Sequence, residues 1–373
     1  MRYLYFDNAA TTLIKPREAI KKTLKFIQNG YANAGRSGHY LSMKTAEEIF
    51  ESRQTVCNFL CFDRAQNVIF TQNATYALNQ AIKGMIPNGA HVITSTMEHN
   101  SVLRPLYAMQ QSGTITLSHF SHRGNIEQNI RDAVTKNTKA IVCSLTSNVT
   151  GESIPISLLS RLRRELSLLV IVDASQLFAH EKINLSQNPV DVFCSAGHKG
   201  AFGMQGVGFA LYHSAPPRTI VEGGSGFDSF AEQMPESLPE RLEAGTLSAA
   251  PIVSLKHGLS FIERIGIEAI EEKLQRLDRK LNEILESTSG IQRLCRGNHG
   301  IHSFIFLGKT SSECAAYLEK EGILTRSGFH CAPIIHKAFG TEDTGAVRIS
   351  FSYFNSLDEL DKLYKVLKRM RMT

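Results

Sequence analysis

Residues 193–203 read F-C-S-A-G-H-K-G-A-F-G. An apolar run containing Val190, Val192 and Phe193 gives way to small residues, the pair His198–Lys199 and a glycine-rich exit. Such a segment presents a lysine at the end of a strand, on backbone thin enough for a ligand to approach closely. Upstream, residues 168–173 read L-L-V-I-V-D, the pattern of a buried parallel strand that ends in one carboxylate. A lysine amine can form a Schiff base with a carbonyl compound, and a carboxylate can keep a pyridine nitrogen protonated. Lys199 and Asp173 at neighbouring strand ends therefore suit pyridoxal phosphate (PLP). Taken singly, each is an ordinary residue: most lysines are solvated, and an aspartate is a common helix cap.

The pattern around these two residues sets them in a repeating frame. Strands are expected near 68–71, 91–95, 114–120, 139–145, 168–173, 190–195 and 207–212. Helices are expected between them near 75–83, 101–111, 126–134 and 157–166. Strand–helix alternation with short joins predicts an α/β fold with a mostly parallel sheet covered on both faces. Active residues then belong on loops at the carboxyl ends of the strands. Ahead of this frame, Pro16 opens a helix carrying Ile20, Leu24 and Ile27. A second helix spans 42–60, with Met43, Ile49, Phe50, Val56 and Phe59 read as its inner stripe. Beyond Tyr212 a polar, glycine-containing loop (222–237) precedes helices at 251–264 and 267–285, and then short strands and helices to the end. The expected division is an N-terminal arm (1–16) packed with the small domain, a large cofactor-binding domain (17–255), and a small α+β domain (256–373).

The strand-end loops converge on one chemistry. T-Q-N-A-T (71–75) opens a helix, where backbone N–H groups and the Thr75 hydroxyl form a phosphate cradle. M-E-H-N-S (97–101) supplies an imidazole, S-N-V-T-G (147–151) and A-S-Q (174–176) supply amides, and S-A-G-H-K (195–199) supplies the lysine. Together they offer a phosphate site, a ring to stack on, an acid and a Schiff-base lysine, which one planar anionic ligand would touch at once.

Composition restricts the alternatives. The 373-residue chain is 42% hydrophobic and 20% charged, as in ordinary globular proteins. Its formal charge of +6 is spread thinly, and the densest basic run (368–372, K-R-M-R-M) closes a terminal helix, so nucleic acid is not an expected partner. A mild positive bias suits an anionic cofactor or an acidic partner protein. Seven cysteines at irregular spacing predict free thiols in a reducing compartment. Cys57 and Cys61 are four apart, which is not zinc spacing, and no metal site is expected. With no apolar run of the roughly 18 residues a span needs and no signal-peptide pattern at Met1–Leu4, the expected location is the cytoplasm, away from membranes.

These motifs carry a resemblance that runs essentially end to end. Y-F-D-N-A-A-T-T (5–12), G-R-S-G-H (35–39), T-Q-N-A-T, M-E-H-N-S, S-N-V-T-G, V-D-A-S-Q (172–176), S-A-G-H-K-G (195–200), E-A-G-T (243–246) and R-S-G-F-H-C-A-P (326–333) resemble the cysteine desulfurases of the class V aminotransferase superfamily. The last motif resembles the group with an R-x-G-x-H-C cysteine loop. The resemblance implies a PLP-dependent transferase of fold type I that converts L-cysteine to L-alanine. Lys199 would hold PLP as a Schiff base and move protons at the substrate α-carbon. Asp173 would pair with the pyridine nitrogen, His99 would stack on the ring, and Gln176 would bond its phenolic oxygen. Ala74, Thr75, Ser195 and His198 would hold the phosphate, with Thr246 arriving from the second subunit of a homodimer. Asn148 and Arg348, with Arg326 nearby, would bind the substrate carboxylate. Cys331 would accept the sulfur as a persulfide, for passage to a sulfur-acceptor protein in iron–sulfur cluster assembly or another sulfur pathway.

Two positions depart from that group. Leu145 stands where relatives carry a polar residue, which predicts an apolar contact near the cofactor. The stretch G-T-L-S-A-A-P (245–251) lacks an asparagine often found there. The same scaffold also serves selenocysteine lyases, cysteine-sulfinate desulfinases and transaminases. A non-catalytic sulfur-relay protein is a further reading, opposed by the intact acid, lysine, histidine and cysteine.

Overall fold

The computed structural model describes residues 3–35, 37–216 and 218–370. Arg36 of the G-R-S-G-H motif, the two N-terminal residues of the expected arm, and the end of the 368–372 basic run lie outside them. The first part of the chain runs β1 (Leu4–Tyr5), α1 (Arg17–Gln28), α2 (Tyr40–Leu60), β2 (Val68–Thr71), α3 (Ala74–Met85), β3 (Ala90–Ser95), α4 (Asn100–Gln111), β4 (Ile115–Phe120) and α5 (Ile126–Ala133). It continues through β5 (Thr138–Ser144), α6 (Ile156–Leu166), β6 (Leu169–Asp173), β7 (Val192–Ala196), β8 (Gly208–Tyr212), α7 (Ala249–Ile265) and α8 (Ile267–Ser287). The last part is β9 (Ile291–Arg293), β10 (Ile301–Phe306), α9 (Ser311–Lys320), β11 (Ile323–Leu324), β12 (Arg326–Gly328), α10 (Pro333–Ala338), β13 (Ala346–Ser350) and α11 (Leu357–Met370).

Seven strands form the central sheet in the order β2-β8-β7-β6-β5-β3-β4. All neighbours are parallel except β8, which runs antiparallel to both β2 and β7. The middle strands are apolar along both faces because both faces are covered. Ile141, Val170, Val172, Phe193 and Phe209 point into one core, while Val142, Ile171, Val192 and Ala210 point into the other with residues of α3 and α4. The parallel direction of β3, β5, β6 and β7 places their carboxyl ends at one edge.

A four-stranded antiparallel sheet, β12-β13-β10-β9, is built from the C-terminal part of the chain. The N-terminal segment joins it through β1, which pairs in parallel with β11, and through a bridge from Asp7 to Ser350 of β13. The short elements β9, β11, β12 and α10 carry too few residues for periodicity to reveal.

The stripe expected on α2 requires correction. Ile49 and Val56 are buried and Phe59 is half-buried, but Met43 is 60% and Phe50 50% exposed. The buried file is Ser42, Thr45, Ile49, Ser52, Arg53, Val56, Cys57 and Leu60, which is the spacing of one helical face. Met43 and Phe50 fall one residue off it. A charged residue can occupy that file because Glu243 meets Arg53 in a bidentate pair, Nη1–Oε1 at 2.8 Å and Nη2–Oε2 at 2.5 Å. The same carboxylate accepts from the Phe70 amide of β2 at 2.7 Å. On α1, Ile20, Leu24 and Ile27 are also exposed, and with Phe202 and Met204 they line a shallow apolar groove. Among the described residues, no helix is long and apolar enough to cross a membrane.

Candidate active site

The carboxyl ends of β5, β6 and β7, the start of α3 and the turn into α4 enclose a cavity of about 120 Å³. Of the residues singled out from the sequence, Ala74, Thr75, His99, Asn148, Asp173, Gln176, His198 and Lys199 line it. Asn73, Ser101, Ser144, Thr146, Ser175 and Ala196 complete the wall.

Lys199 lies three residues beyond β7, on backbone packed so closely that a Cβ on Gly200 would stand 2.4 Å from the Phe178 carbonyl oxygen. Burial lowers the Lys199 pKa to about 8, against the opposing pull of Asp173. Asp173 ends β6 and accepts from the Ser175 amide at 2.9 Å. His99 caps α4: its Nδ1 accepts from the Ser101 amide at 3.0 Å, so the ring proton sits on Nε2. Burial holds that ring neutral, with its pKa down to about 4. Beneath it, fully buried Glu98 bridges β3 to β5 by accepting from the Ser144 amide at 3.0 Å and hydroxyl at 2.8 Å, and burial pushes its carboxyl up to about 7. At the other end, Asn73 caps α3 by accepting from the Tyr76 amide at 2.9 Å. The Thr75 hydroxyl meets that of Ser101 at 2.7 Å, joining the α3 and α4 turns.

The N-terminal segment braces this wall from outside. Thr12 donates to the Lys199 carbonyl and Lys15 to the His198 carbonyl, each at 2.8 Å. Thr11 meets His198 Nδ1 at 3.0 Å, and Gln176 Nε2 donates to the Ala9 carbonyl at 3.1 Å. Asp7 pairs with Arg348 Nη2 at 2.6 Å.

Ser195, Thr246, Arg326, Cys331 and Arg348 do not line the cavity. Ser195 is fully buried behind it. Thr246 accepts from Asn33 Nδ2 at 3.2 Å and borders a separate pocket with Thr71 and Gln72. Arg348 is buried on β13, and its Nη1 donates to the Asn148 carbonyl at 2.9 Å. Cys331 is exposed, and Arg326 Nη2 stands 3.9 Å from its Sγ. Its loop is nonetheless fastened to the cavity wall: the Asn100 amide donates to the Cys331 carbonyl and Asn148 Nδ2 to the His330 carbonyl, both at 2.7 Å.

Several buried polar atoms here lack partners: Asn148 Oδ1, Ser175 Oγ, Ser195 Oγ and Arg348 Nε. Buried polar groups are normally paired, so Asn148 Oδ1 and Ser175 Oγ, on residues that line the cavity, suit a polar ligand there. A helix N-terminus, a neutral imidazole, a buried carboxylate and a lysine with a lowered pKa fit the phosphate, ring, pyridine nitrogen and aldehyde of PLP.

Comparison with known proteins supports the same cofactor. The aminotransferase class-V family matches residues 4–363. The chain belongs to that family. Within it, the chain is 28% identical to a probable cysteine desulfurase of Methanothermobacter thermautotrophicus, covering 99% of this chain and 94% of the relative. It is 28% identical to another from Pyrococcus abyssi, covering 98% and 94%. Among solved structures it is similar to the apo cysteine desulfurase of Thermococcus onnurineus NA1, with a TM-score of 0.89, 26% identity, and coverage of 99% and 94%. The fold is also that of C-DES, solved as a mutant with glycine covalently linked to its PLP cofactor, at a TM-score of 0.81 and 19% identity. This class-V fold is the type I, mostly parallel α/β arrangement expected from the strand–helix alternation.

One sequence expectation about the wall is overturned. Leu145 makes no apolar contact in the cavity: it is fully buried in the core, and its neighbours Ser144 and Thr146 line the wall instead. Alternation at the end of an extended strand turns consecutive side chains to opposite faces. The sequence reading did not single out Ser101, Ser144, Thr146 or Ser175 as site residues. Two of them stood inside quoted motifs, M-E-H-N-S and V-D-A-S-Q, and strand-end position was the signal available for the others.

Proposed function

We propose that this class-V chain is a PLP-dependent cysteine desulfurase that releases alanine from L-cysteine and receives the sulfur on Cys331 as a persulfide. When bound, PLP supplies an electron-withdrawing ring that loosens the bonds at the substrate α-carbon. Lys199 Nζ anchors the cofactor and then carries protons at that carbon, a task suited to an amine whose pKa lies near 8. Asp173 keeps the pyridine nitrogen protonated, and neutral His99 lies against the ring. Gln176 has a second amide hydrogen beyond the one given to Ala9, and this is available to the phenolic oxygen. The amides at Ala74 and Thr75, with Ser195 and His198, hold the phosphate. Arg348, through Nε, acts with Asn148 and Arg326 on the substrate carboxylate.

One observation carries the reading: an exposed cysteine on a loop bonded directly to the residue after His99 and to Asn148. That tether keeps a thiol beside the cavity while leaving it open to an acceptor protein. A homodimer in which the second copy brings Thr246 belongs to the proposal. So do an N-terminal arm and a two-domain division near residue 255, and a cytoplasmic location. Seven cysteines free of disulfides support the last.

The test is to quantify alanine from cysteine, selenocysteine and cysteine sulfinate with the wild type and with Cys331→Ser. We expect Cys331→Ser to lose about a hundredfold on cysteine, equal to ~2.7 kcal/mol of transition-state stabilisation, and much less on selenocysteine. Wild-type desulfuration by Cys331→Ser removes the persulfide step. Preference of the wild type for selenocysteine selects the lyase reading.

A further inference from the structure

His330 and Cys331 both hold left-handed backbone, at φ +52° and +56°. Residues with a Cβ adopt that region only where their surroundings impose it. The tethers from Asn100 and Asn148 restrain the two carbonyls, and the His330 ring supplies a restraint of its own. Its Nε2 lies 3.3 Å from the Arg326 carbonyl oxygen, and its Nδ1 lies 3.4 Å from His336 Nε2. The two ring planes are within 19° of parallel. His336 Nδ1 in turn meets the Thr341 hydroxyl at 2.8 Å. His330, His336 and Thr341 are each no more than 2% exposed, so water does not complete these contacts.

The direction of the three bonds follows from their ends. A carbonyl oxygen only accepts, so His330 carries its proton on Nε2. Burial keeps both rings neutral, which leaves a lone pair on His330 Nδ1 and makes His336 Nε2 the donor to it. Thr341 then donates its hydroxyl hydrogen to His336 Nδ1. The other tautomer of His336 would set two lone pairs face to face. A file of hydrogen bonds thus runs from Thr341 through His336 and His330 to the Arg326 carbonyl, with the Phe329 carbonyl a second acceptor beside the His336 ring. It ends on the residue whose guanidinium approaches the Cys331 sulfur.

We propose that His336 and Thr341 are positioning residues for the nucleophile, holding Arg326 and Cys331 in register through the His330 ring. Neither touches the cavity. The inference rests on the reading of Cys331 as the sulfur acceptor.

The test compares His336→Phe, His336→Gln and Thr341→Val as holoenzymes. His336→Phe keeps an aromatic ring but deletes both nitrogens. Gln restores an N–H donor and an acceptor, and Val removes only the hydroxyl. Two readouts are taken: the rate at which iodoacetamide alkylates Cys331 at fixed pH, followed by peptide mass spectrometry, and kcat and KM for alanine formation. We expect His336→Phe to slow alkylation and to lower kcat by about tenfold with KM little changed. His336→Gln should recover most of both, and Thr341→Val should show a smaller loss in the same direction. Wild-type alkylation and kcat in His336→Phe overturn the proposal. So does an equal defect in His336→Gln, because ring packing rather than hydrogen bonding would then be responsible. If His336→Phe does not fold, Thr341→Val decides, and wild-type behaviour there overturns the proposal. Alkylation does not require turnover, so desulfuration surviving in Cys331→Ser overturns the nucleophile assignment separately.

Discussion

Lys199 follows a central strand of a seven-stranded sheet, while Cys331 sits on left-handed backbone after an edge strand of a four-stranded one. Around Lys199 the restraint is packing. The residue is surrounded by backbone, its carbonyl is capped by Thr12, and there is no room for a Cβ at Gly200. Around Cys331 the restraint is a set of directed hydrogen bonds to two backbone carbonyls and one imidazole, with the sulfur left exposed. The difference follows from the chemistry proposed for each. An amine that must be partly neutral at physiological pH has to be taken out of water. A sulfur that must be handed to another protein cannot be, so its backbone is held where its side chain is not.

The contrast is broken most severely by deleting the half-buried lysine. Lys199→Ala is expected to lower alanine formation by about a thousandfold, the middle of the range for losing a proton-transfer group. Borohydride should no longer link PLP to that peptide, while thermal melting stays unchanged; residual turnover near wild type would assign the lysine another role. A smaller effect is expected from pH. In the cofactor-free protein the Lys199 amine titrates at about 8. The neutral amine attacks the cofactor aldehyde, so uptake of PLP should rise through pH 8, level off above it, and fall about tenfold per pH unit below it. Stopped-flow absorbance across pH 6–10 measures this. A midpoint near the ordinary value of 10.5 would mean that the lysine is solvated.

Two glycines sharpen the comparison further. Gly200→Ala forces a Cβ to within 2.4 Å of a carbonyl oxygen, and overpacking of that kind costs about 3 kcal/mol at its upper end. Gly328, in the cysteine loop, has φ +98° but open space around it. Its replacement by alanine should cost about 1 kcal/mol of backbone strain alone. Denaturant unfolding of the two variants reads the difference. Equal losses would show that the cysteine loop is packed as tightly as the lysine loop.

Much of the cavity was legible without the fold because its residues occupy strand ends. Asp173 and Lys199 each close an apolar run, and Thr75 and His99 each stand at a strand-to-helix turn. Short-range periodicity reports such positions faithfully. It failed on α2, where Met43 and Phe50 looked internal but are exposed, while Arg53 is buried. The pairing of Arg53 with Glu243, 190 residues away, reverses that face. The resemblance misled at Leu145: relatives carry a polar residue there, which suggested an apolar cofactor contact here, but the pleat turns the side chain into the core.

The amino-acid sequence by itself determined the order of strands and helices in the large sheet, the polar character of its strand ends, and the chemistry those ends can perform. These depend on neighbours within a few residues: alternation, caps and turns. Only the tertiary structure decided which distant groups answer one another. Asp7 pairs with Arg348 across 341 positions, Asn148 with His330 across 182, and Thr12 with Lys199 across 187. Buried polar groups must find partners wherever the folded chain brings them, and nothing in the local pattern of either partner specifies the other.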